Sequence, residues 1–586
     1  MPFFFNVSDF KLNQINLDLL FKEAENFFSE GNFDGSEKIL KSILENYPDH
    51  PDALNNIATI LFAQNKKSES VVFLKKLLLQ DPENCLIHYR CAIALSEVEQ
   101  FEDAVLHCNE SIRINKNYVE PYLHLATIYK FQNKIDEAKK TYEKLIESNS
   151  YYINAYLELG DLYSREEKFF EAISILHKIN KLNPNIPEVH YNLGTFHLHA
   201  KNYQKAENHL MNAINLNPEI SNPYANLGKT YEKQGFFYKA LNIYRKDITL
   251  KKTYSDPAGI NSKDSEYFFH QYYNLALALL RQGEYLEGYK YYDFRLKLPS
   301  NDLFSLKLDS NQWQEIKPRD NILILSEQGL GDTVFSSRYL NSLNNLLSEF
   351  TVQLDDRLIE IYKRTFPNIN FLSKKEKIEF NSYNKIIPFS SLPSLFIKTK
   401  KDFRKIQIKN LNLNNELKVN KSFKYSLVIG ISWRSISPMM GEEASIDLKS
   451  FLEVFKEINV SIVNLQYGEL TEIEKNTINL FKNIEFINYD EIYKKNNIDG
   501  LLSLIDMCDY IVSIDNVTAH LAGSINKLSF VLLPINPDFR WGLTADKNDL
   551  YPSLKLFRNK RFDDWTDLIK DINQYIKNLN KVRDSV

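Results

Sequence analysis

The sequence predicts an all-α solenoid superhelix followed by an α/β region built as two doubly wound domains facing a cleft. Two observations carry this. Pro48, Pro82, Pro184 and Pro218 fall on one 34-residue grid whose other marks are Lys116, Ser150 and Lys252, and a fixed period of this length marks stacked helical repeats. After Asp320 the grid gives way to short β-rich runs alternating with helical stretches, the pattern of parallel sheets with crossover helices.

Within the grid, a small residue stands twenty-four positions before each mark: Ala24, Ala58, Ala92, Ala126, Gly160, Gly194 and Gly228. A second stands twelve before: Ser36, Ser70, Ala104, Ala138, Ala172, Ala206 and Ala240. The first lets helix A of a repeat approach helix B, and the second lets helix B approach the next repeat. Proline at the mark starts the following helix, where its missing N–H has no partner to lose. Tyr129, Tyr163 and Tyr231 at one phase, and Tyr142 and Tyr244 at another, fill the space between. This pattern is the tetratricopeptide-repeat (TPR) signature, and about seven repeats fill a TPR solenoid over 1–252. Stacked pairs form a right-handed superhelix whose concave surface holds a protein or an extended peptide, and they should fold without the rest of the chain. Asn55, Asn56, His88, Tyr191, Asn192 and Asn226 either line that surface or simply solvate helix faces. Asn can clamp a peptide backbone with one donor and one acceptor.

Bulk properties narrow the classes. A chain of 586 residues holds several domains, and 44% hydrophobic with 25% charged residues is an ordinary soluble composition. The net charge of −4 gives no pull toward nucleic acid or an anionic membrane. No apolar run approaches a membrane span, and Met1–Val7 is too short for a signal peptide and lacks its basic flank. Cys85, Cys91, Cys108 and Cys508 lack metal-ligand spacing. A reducing cytoplasm is the expected compartment, with no metal.

A polar insertion, 253–265, interrupts the repeats, and a final TPR-like helix pair follows at 266–299, where Tyr273-Asn274-Leu275 echoes Tyr191-Asn192-Leu193. Residues 300–319 form a linker with one aromatic anchor, Trp313. In the first α/β half, 320–415, strands are expected at Asn321–Ser326, Phe350–Leu354, Ile369–Leu372 and Lys385–Phe389, with a helix from Thr333. In the second, 425–586, they are expected at Ser426–Trp433, Val460–Gln466, Ile484–Ile487, Tyr510–Ile514 and Ser529–Leu533. The Lys- and Asn-rich stretch Lys398–Lys424 separates the two.

Ligands of doubly wound sheets bind beyond the carboxyl ends of strands, and four motifs lie there. In Glu327-Gln328-Gly329-Leu330-Gly331-Asp332 the glycines permit a tight turn and close backbone approach. Asp332 either caps the helix that follows or sits at the rim of a site. Gly430-Ile431-Ser432-Trp433-Arg434-Ser435 places Arg434 where a guanidinium can hold a diphosphate by paired hydrogen bonds, or lie on the surface. Asn464-Leu465-Gln466-Tyr467-Gly468 offers Gln466 and Tyr467 to a base or sugar. In Ser513-Ile514-Asp515-Asn516-Val517-Thr518-Ala519-His520 a strand ends at Asp515 and a helix starts. There backbone N–H groups, the Thr518 hydroxyl and the helix dipole make a diphosphate cradle, with Asn516 or Thr518 at the helix start. Asp515 either orders the loop or binds sugar hydroxyls, and His520 in the first turn or two is either a ligand contact or a structural residue.

Residues 320–586 resemble the glycosyltransferase domains related to bacterial heptosyltransferases that are often fused behind TPR repeats. The resemblance rests on EQGLGD at 327–332 followed by Arg338-Tyr339, the GISWRS strand end, NLQYG at 464–468, D-x-x-x-A-H-L-A-G at 515–523, Arg540-Trp541, and Tyr551-Pro552 with Leu556-Phe557-Arg558. It implies two Rossmann-like domains facing a cleft, the GT-B type. It implies Asp332 as general base, Asp515 and His520 as holders of the nucleotide diphosphate, and Arg434 as the phosphate contact. The chain departs from the family at Asn516-Val517, where Asp-Thr is common.

The expected function is metal-independent, inverting transfer of a sugar from a nucleotide-diphosphate donor to a protein or glycan acceptor. The catalytic residue is Asp332; Gly329, Gly331, Arg434, Gln466, Asp515, Asn516, Thr518 and His520 bind the donor. The nucleotide sugar is a co-substrate and no cofactor is expected. The competing expectation is a TPR scaffold with an inactive transferase-like domain.

Overall fold

Helix after helix follows the grid. The structure, a computed structural model, describes residues 14–584 apart from 221, 253–261, 314, 348, 407, 418–421, 436–440, 490–496, 545–546, 549–550 and 563. Met1–Val7 and most of the insertion expected at 253–265 lie outside the described residues. Packing divides the chain into two units, Met1–Asn217 and Pro218–Val586. No described helix is long and apolar enough to cross a membrane.

Among the described residues the first unit holds six helix pairs: α1 (Gln14–Ser29) with α2 (Phe33–Asn46), α3 (Pro51–Ala63) with α4 (Lys67–Gln80), α5 (Cys85–Glu97) with α6 (Phe101–Ile114), α7 (Val119–Phe131) with α8 (Ile135–Ser148), α9 (Ile153–Arg165) with α10 (Phe169–Leu182), and α11 (Pro187–His199) with α12 (Tyr203–Leu216). Each pair turns through one left-handed residue: Gly31, Asn65, Glu99, Asn133, Glu167 or Lys201, with φ between 58° and 74°. The next N–H then reaches back to close the helix, as Lys66 N does to Leu61 O and Lys134 N to Tyr129 O, both at 2.8 Å.

The two small positions face each other within one repeat. Ser36 Oγ donates to Ala24 O at 2.6 Å and Ser70 Oγ to Ala58 O at 2.7 Å. A Cβ on Gly194 would lie 2.6 Å from Leu210 Cγ. The second small residue therefore serves the A–B contact of its own repeat, rather than the next repeat as expected. The grid prolines also differ from expectation. Pro48, Pro82, Pro184 and Pro218 sit in turns ahead of the helices, not at their first positions. There they end the preceding helix, which proline cannot continue. The carbonyl at the mark accepts a bond from the aromatic residue six positions on: Tyr122 OH to Lys116 O (3.2 Å), Tyr156 OH to Ser150 O (3.1 Å), and His88 Nε2 with Pro82 O (3.0 Å). His88 is accordingly buried inside its repeat, not on an open concave face.

The second unit opens with α13 (Asn222–Lys233), α14 (Phe237–Lys252), α15 (Ser262–Gln282) and α16 (Tyr285–Tyr292). Two mainly parallel sheets follow. The first has β1 (Ile322–Leu325), β2 (Thr351–Leu354), β3 (Asn370–Ser373) and β4 (Lys385–Pro388), in the order β3-β2-β1-β4. The second has β5 (Val428–Ser432), β6 (Val460–Asn464), β7 (Ile484–Ile487), β8 (Tyr510–Ile514), β9 (Ser529–Leu533), β10 (Lys547–Asn548) and β11 (Tyr551–Arg558), ordered β10-β11-β9-β8-β5-β6-β7. Counting its six parallel strands in chain order, the arrangement is 3-2-1-4-5-6, a doubly wound sheet whose order reverses between β5 and β8. Strand β11 was not foreseen. Pro552 interrupts its apolar pattern, yet the ladder with β9 begins only at Leu554, so the missing N–H falls outside it. The helix expected from Thr333 starts three residues earlier, at Leu330.

The last helix pair does not stand apart. Tyr289, Tyr292 and Leu296 share one core with Ile322, Ile324, the linker anchor Trp313, and residues such as Leu465 and Leu521. Arg295, 2% exposed in its side chain, ion-pairs with the fully buried Glu327 and with Asp293 at 2.7 Å, and Arg281 Nε donates to Pro537 O at 3.1 Å. The repeats thus end as part of the α/β core, against the expectation that all of them fold independently.

Candidate functional site

The loop after β1 is built in layers. Glu327 points inward and is consumed by Arg295 and by Asn301 Nδ2 at 3.1 Å. Gln328 meets Tyr292 OH at 3.4 Å and accepts from Ser390 Oγ, on the loop after β4, at 3.3 Å. Gly329 then caps the Leu330–Ser336 helix, and its N–H donates to Asp332 Oδ2 at 3.1 Å. Asp332 is thus a cap, but its other oxygen pairs with Arg540, from the loop after β9.

At the reversal of the second sheet, side chains brace the strand ends. Gln466 is buried, and its Oε1 accepts from Ser432 Oγ (3.2 Å), Trp433 N (2.9 Å) and Arg434 N (2.7 Å). Its Nε2 donates to Arg434 O at 3.2 Å. Asn516 caps the Val517–Ser524 helix by accepting from Thr518 N at 3.0 Å, while its Nδ2 donates to Ser432 Oγ at 2.7 Å and Arg434 O at 3.3 Å. Two amides therefore brace the end of β5, Gln466 from the β6 side and Asn516 from the β8 side. The Arg434 guanidinium, one-third exposed, turns to Glu469 O (3.2 Å) and Glu474 (3.4 Å).

The two strand-end systems meet around Arg540. Its guanidinium bridges Asp332 and Asp538, the latter at 2.8 Å, and lies over the rings of Phe335 and Phe539. Burial holds the Asp332 carboxyl above its usual range, with Arg540 opposing. Burial, with the Asp538 carboxylate next to it, pushes Asp515 up to about 7. His520 is stacked on Trp541 (centroids 4.9 Å apart) and edge-on to Phe335, with Nδ1 3.1 Å from Tyr551 OH. Burial first, then Arg540 and Arg338, keep its ring neutral. A Cβ on Gly331 would lie 3.1 Å from His520 Cδ2, so the two helix starts touch through a glycine.

Of the residues singled out in the sequence, Gly329, Gly331, Asp332, Asp515 and His520 come together here. Arg434, Gln466 and Asn516 cluster at the strand reversal, and Thr518 is buried in the first helical turn. Asp538 had no sequence signal of its own. Arg540, Arg338 and Tyr551 stood in motifs without a role; Arg338 is buried over the Tyr551 ring at 4.1 Å. The chemistry on offer is a guanidinium between two carboxylates, beside a third carboxyl that exchanges its proton near neutral pH.

Comparison with known proteins bears on the repeats. Residues 27–90, 119–152 and 187–220 match the tetratricopeptide-repeat family, so this part of the chain carries TPR repeats. Protein FlbA of Caulobacter vibrioides is 23% identical over 322 residues, 50% of this chain and 52% of FlbA; the chain spans about half the length of that relative. Among solved structures, the C-terminal part of a TPR repeat-containing protein from Cytophaga hutchinsonii is 20% identical with a TM-score of 0.34, covering 43% of this chain and 98% of that one. YrrB, described as a TPR protein with an unusual peptide-binding site, is 20% identical with a TM-score of 0.27, covering 31% of this chain and 93% of its own.

Proposed function

We propose that the α/β region transfers a sugar from a nucleotide-diphosphate donor to a protein or glycan acceptor, and that the TPR repeats bind that acceptor or a partner. The observation that supports this best is the convergence of strand-end loops from both sheets on Arg540, with Asp332 on one side and Asp515 and His520 on the other. The donor diphosphate sits at the β5/β8 reversal, neutralised by Arg434 and the start of the Val517–Ser524 helix. The acceptor oxygen attacks the anomeric carbon, the bond to the diphosphate breaks with inversion, and Asp332 takes the hydroxyl proton. A diphosphate competes with Asp332 for Arg540, and a carboxylate that loses its cation becomes a stronger base. Gln466 and Asn516 act by holding the loops. His520 acts as packing, so its alanine variant probes the fold as much as the ligand.

A scaffold without turnover is the second reading, favoured by Asp332 being already engaged by Gly329 N–H and Arg540. Calorimetry and melting against a nucleotide-sugar panel separate the two. A ligand raises the melting temperature by mass action, and Arg434→Ala abolishes that rise while the unliganded protein melts as before. Absence of any shift across the panel favours the scaffold.

A further inference from the structure

The strongest unassigned chemistry lies in the first unit, between α10, α11 and α12. One nitrogen each from His177, His197 and His209 lies within 4.8 Å of the other two. His197 is 3% exposed, and among the described residues neither of its ring nitrogens has a hydrogen-bond partner. Buried polar atoms are nearly always paired, and this ring, stacked on His209 with centroids 5.6 Å apart, leaves both nitrogens without that pairing beside two other imidazoles. A groove of about 510 Å³ opens over His177 and His197 and is also lined by Lys178, Lys181 and Lys205.

A relay behind the cluster sets the tautomer of one ligand. The Pro184 carbonyl can only accept, so His190 Nε2, 2.8 Å away, carries the proton. In the neutral form of His190, Nδ1 is then a lone pair, to which His209 Nδ1, 3.0 Å away, donates. That leaves the lone pair of His209 on Nε2. An outer partner fixing a histidine's free nitrogen in this way is typical of metal sites.

The chain contains its own control. Three repeats earlier, Pro82, His88 and His107 form the same relay, with His88 and His107 Nδ1 atoms 2.9 Å apart. There, however, Lys75 and Leu95 stand where His177 and His197 stand in the later copy. The relay alone is thus a repeat-packing device, and the two added histidines convert it.

We propose that His177, His197 and His209 bind a divalent transition metal of the zinc class, with the fourth coordination position open to the lysine-lined groove. Three neutral imidazoles leave the metal's charge uncompensated, so the open position takes an anion, which Lys178, Lys181 and Lys205 also attract. Zn–N bonds of about 2.0–2.1 Å need the three nitrogens drawn somewhat closer than they stand, a shift within reach of side-chain rotation.

The test uses the full chain, stripped with chelator and titrated with zinc chloride, with metal content measured after dialysis and the cobalt form examined by visible absorption. The expected result is one zinc per chain, a higher melting temperature, and the absorption of a four-coordinate cobalt site. His177→Gln, which removes a partly buried ligand, weakens zinc binding by at least about 100-fold with an unchanged helical spectrum, while His107→Gln leaves it unaltered. If His177→Gln lowers helicity, His197→Gln in the presence of zinc replaces it under the same criterion. No retained zinc in the wild type, or equal affinity in His177→Gln, overturns the proposal.

Discussion

Asp515 is where the site's electrostatics become measurable. A carboxyl near 3.9 in the unfolded chain and about 7 in the folded one binds its proton more tightly when folded. Its contribution to stability is therefore full below about pH 4 and lost as pH rises through 7. Asp515→Asn should accordingly gain on wild type in melting temperature between about pH 4 and 7, and the gap should level above that. A gap independent of pH would show that the Asp515 carboxyl is not raised in the folded protein. The buried Arg295–Glu327 pair gives a second prediction: Arg295→Met strands a charge with no exposure and costs about 3–5 kcal/mol in chemical denaturation. At this scale the sequence disclosed the residue types better than their duties. Asp332, Asp515 and His520 were legible because glycines, a strand end and a helix start surround them. Gln466 and Asn516 read as ligand contacts from their strand-end positions, and the distances to Ser432 and Arg434 add that both also brace those ends. Asp538 was invisible because its partners, Arg540 and Asp515, reach it through the tertiary fold.

Among the elements, the repeats were the most legible, since each 34-residue unit presents the same small residues to the same neighbours. What the pattern concealed was the left-handed turn position. Glycine holds it at Gly31 and Gly235, but Asn, Glu or Lys holds it between, so no single residue type marks the column. A non-glycine residue there costs about 1–2 kcal/mol. Glu99→Gly, Glu167→Gly and Lys201→Gly should therefore each stabilise the chain by up to about 1 kcal/mol once glycine's greater unfolded-state freedom is set against the relief. A loss of stability would show that these turns are not strained. The opposite result is expected at Gly194, where any side chain meets Leu210; Gly194→Val should cost about 1–3 kcal/mol. Strand β11 escaped because Pro552 looks like an interruption until the ladder's start at Leu554 is known.

At the level of the whole molecule, the boundary of folding and the boundary of the sequence pattern differ. The grid runs to residue 252 and an echo of it to 299, but α15 and α16 belong to the core of the α/β region. A chain ending at Asn217 should melt cooperatively as a helical protein; one ending at Pro299 exposes Tyr289, Tyr292, Leu296 and the Arg295 charge, and should aggregate or lose its last pair. In the proposed function the loops meeting at Arg540 perform sugar transfer with Asp332 as the base. Asparagine caps a helix about as well as aspartate but cannot take a proton. The direct measurement is sugar transfer by wild type and Asp332→Asn from whichever nucleotide sugar stabilises the protein. The expected result is near-normal donor binding, a melting temperature within a few degrees, and transfer slower by at least roughly 100-fold in the variant. Equal transfer rates in the two proteins would contradict it.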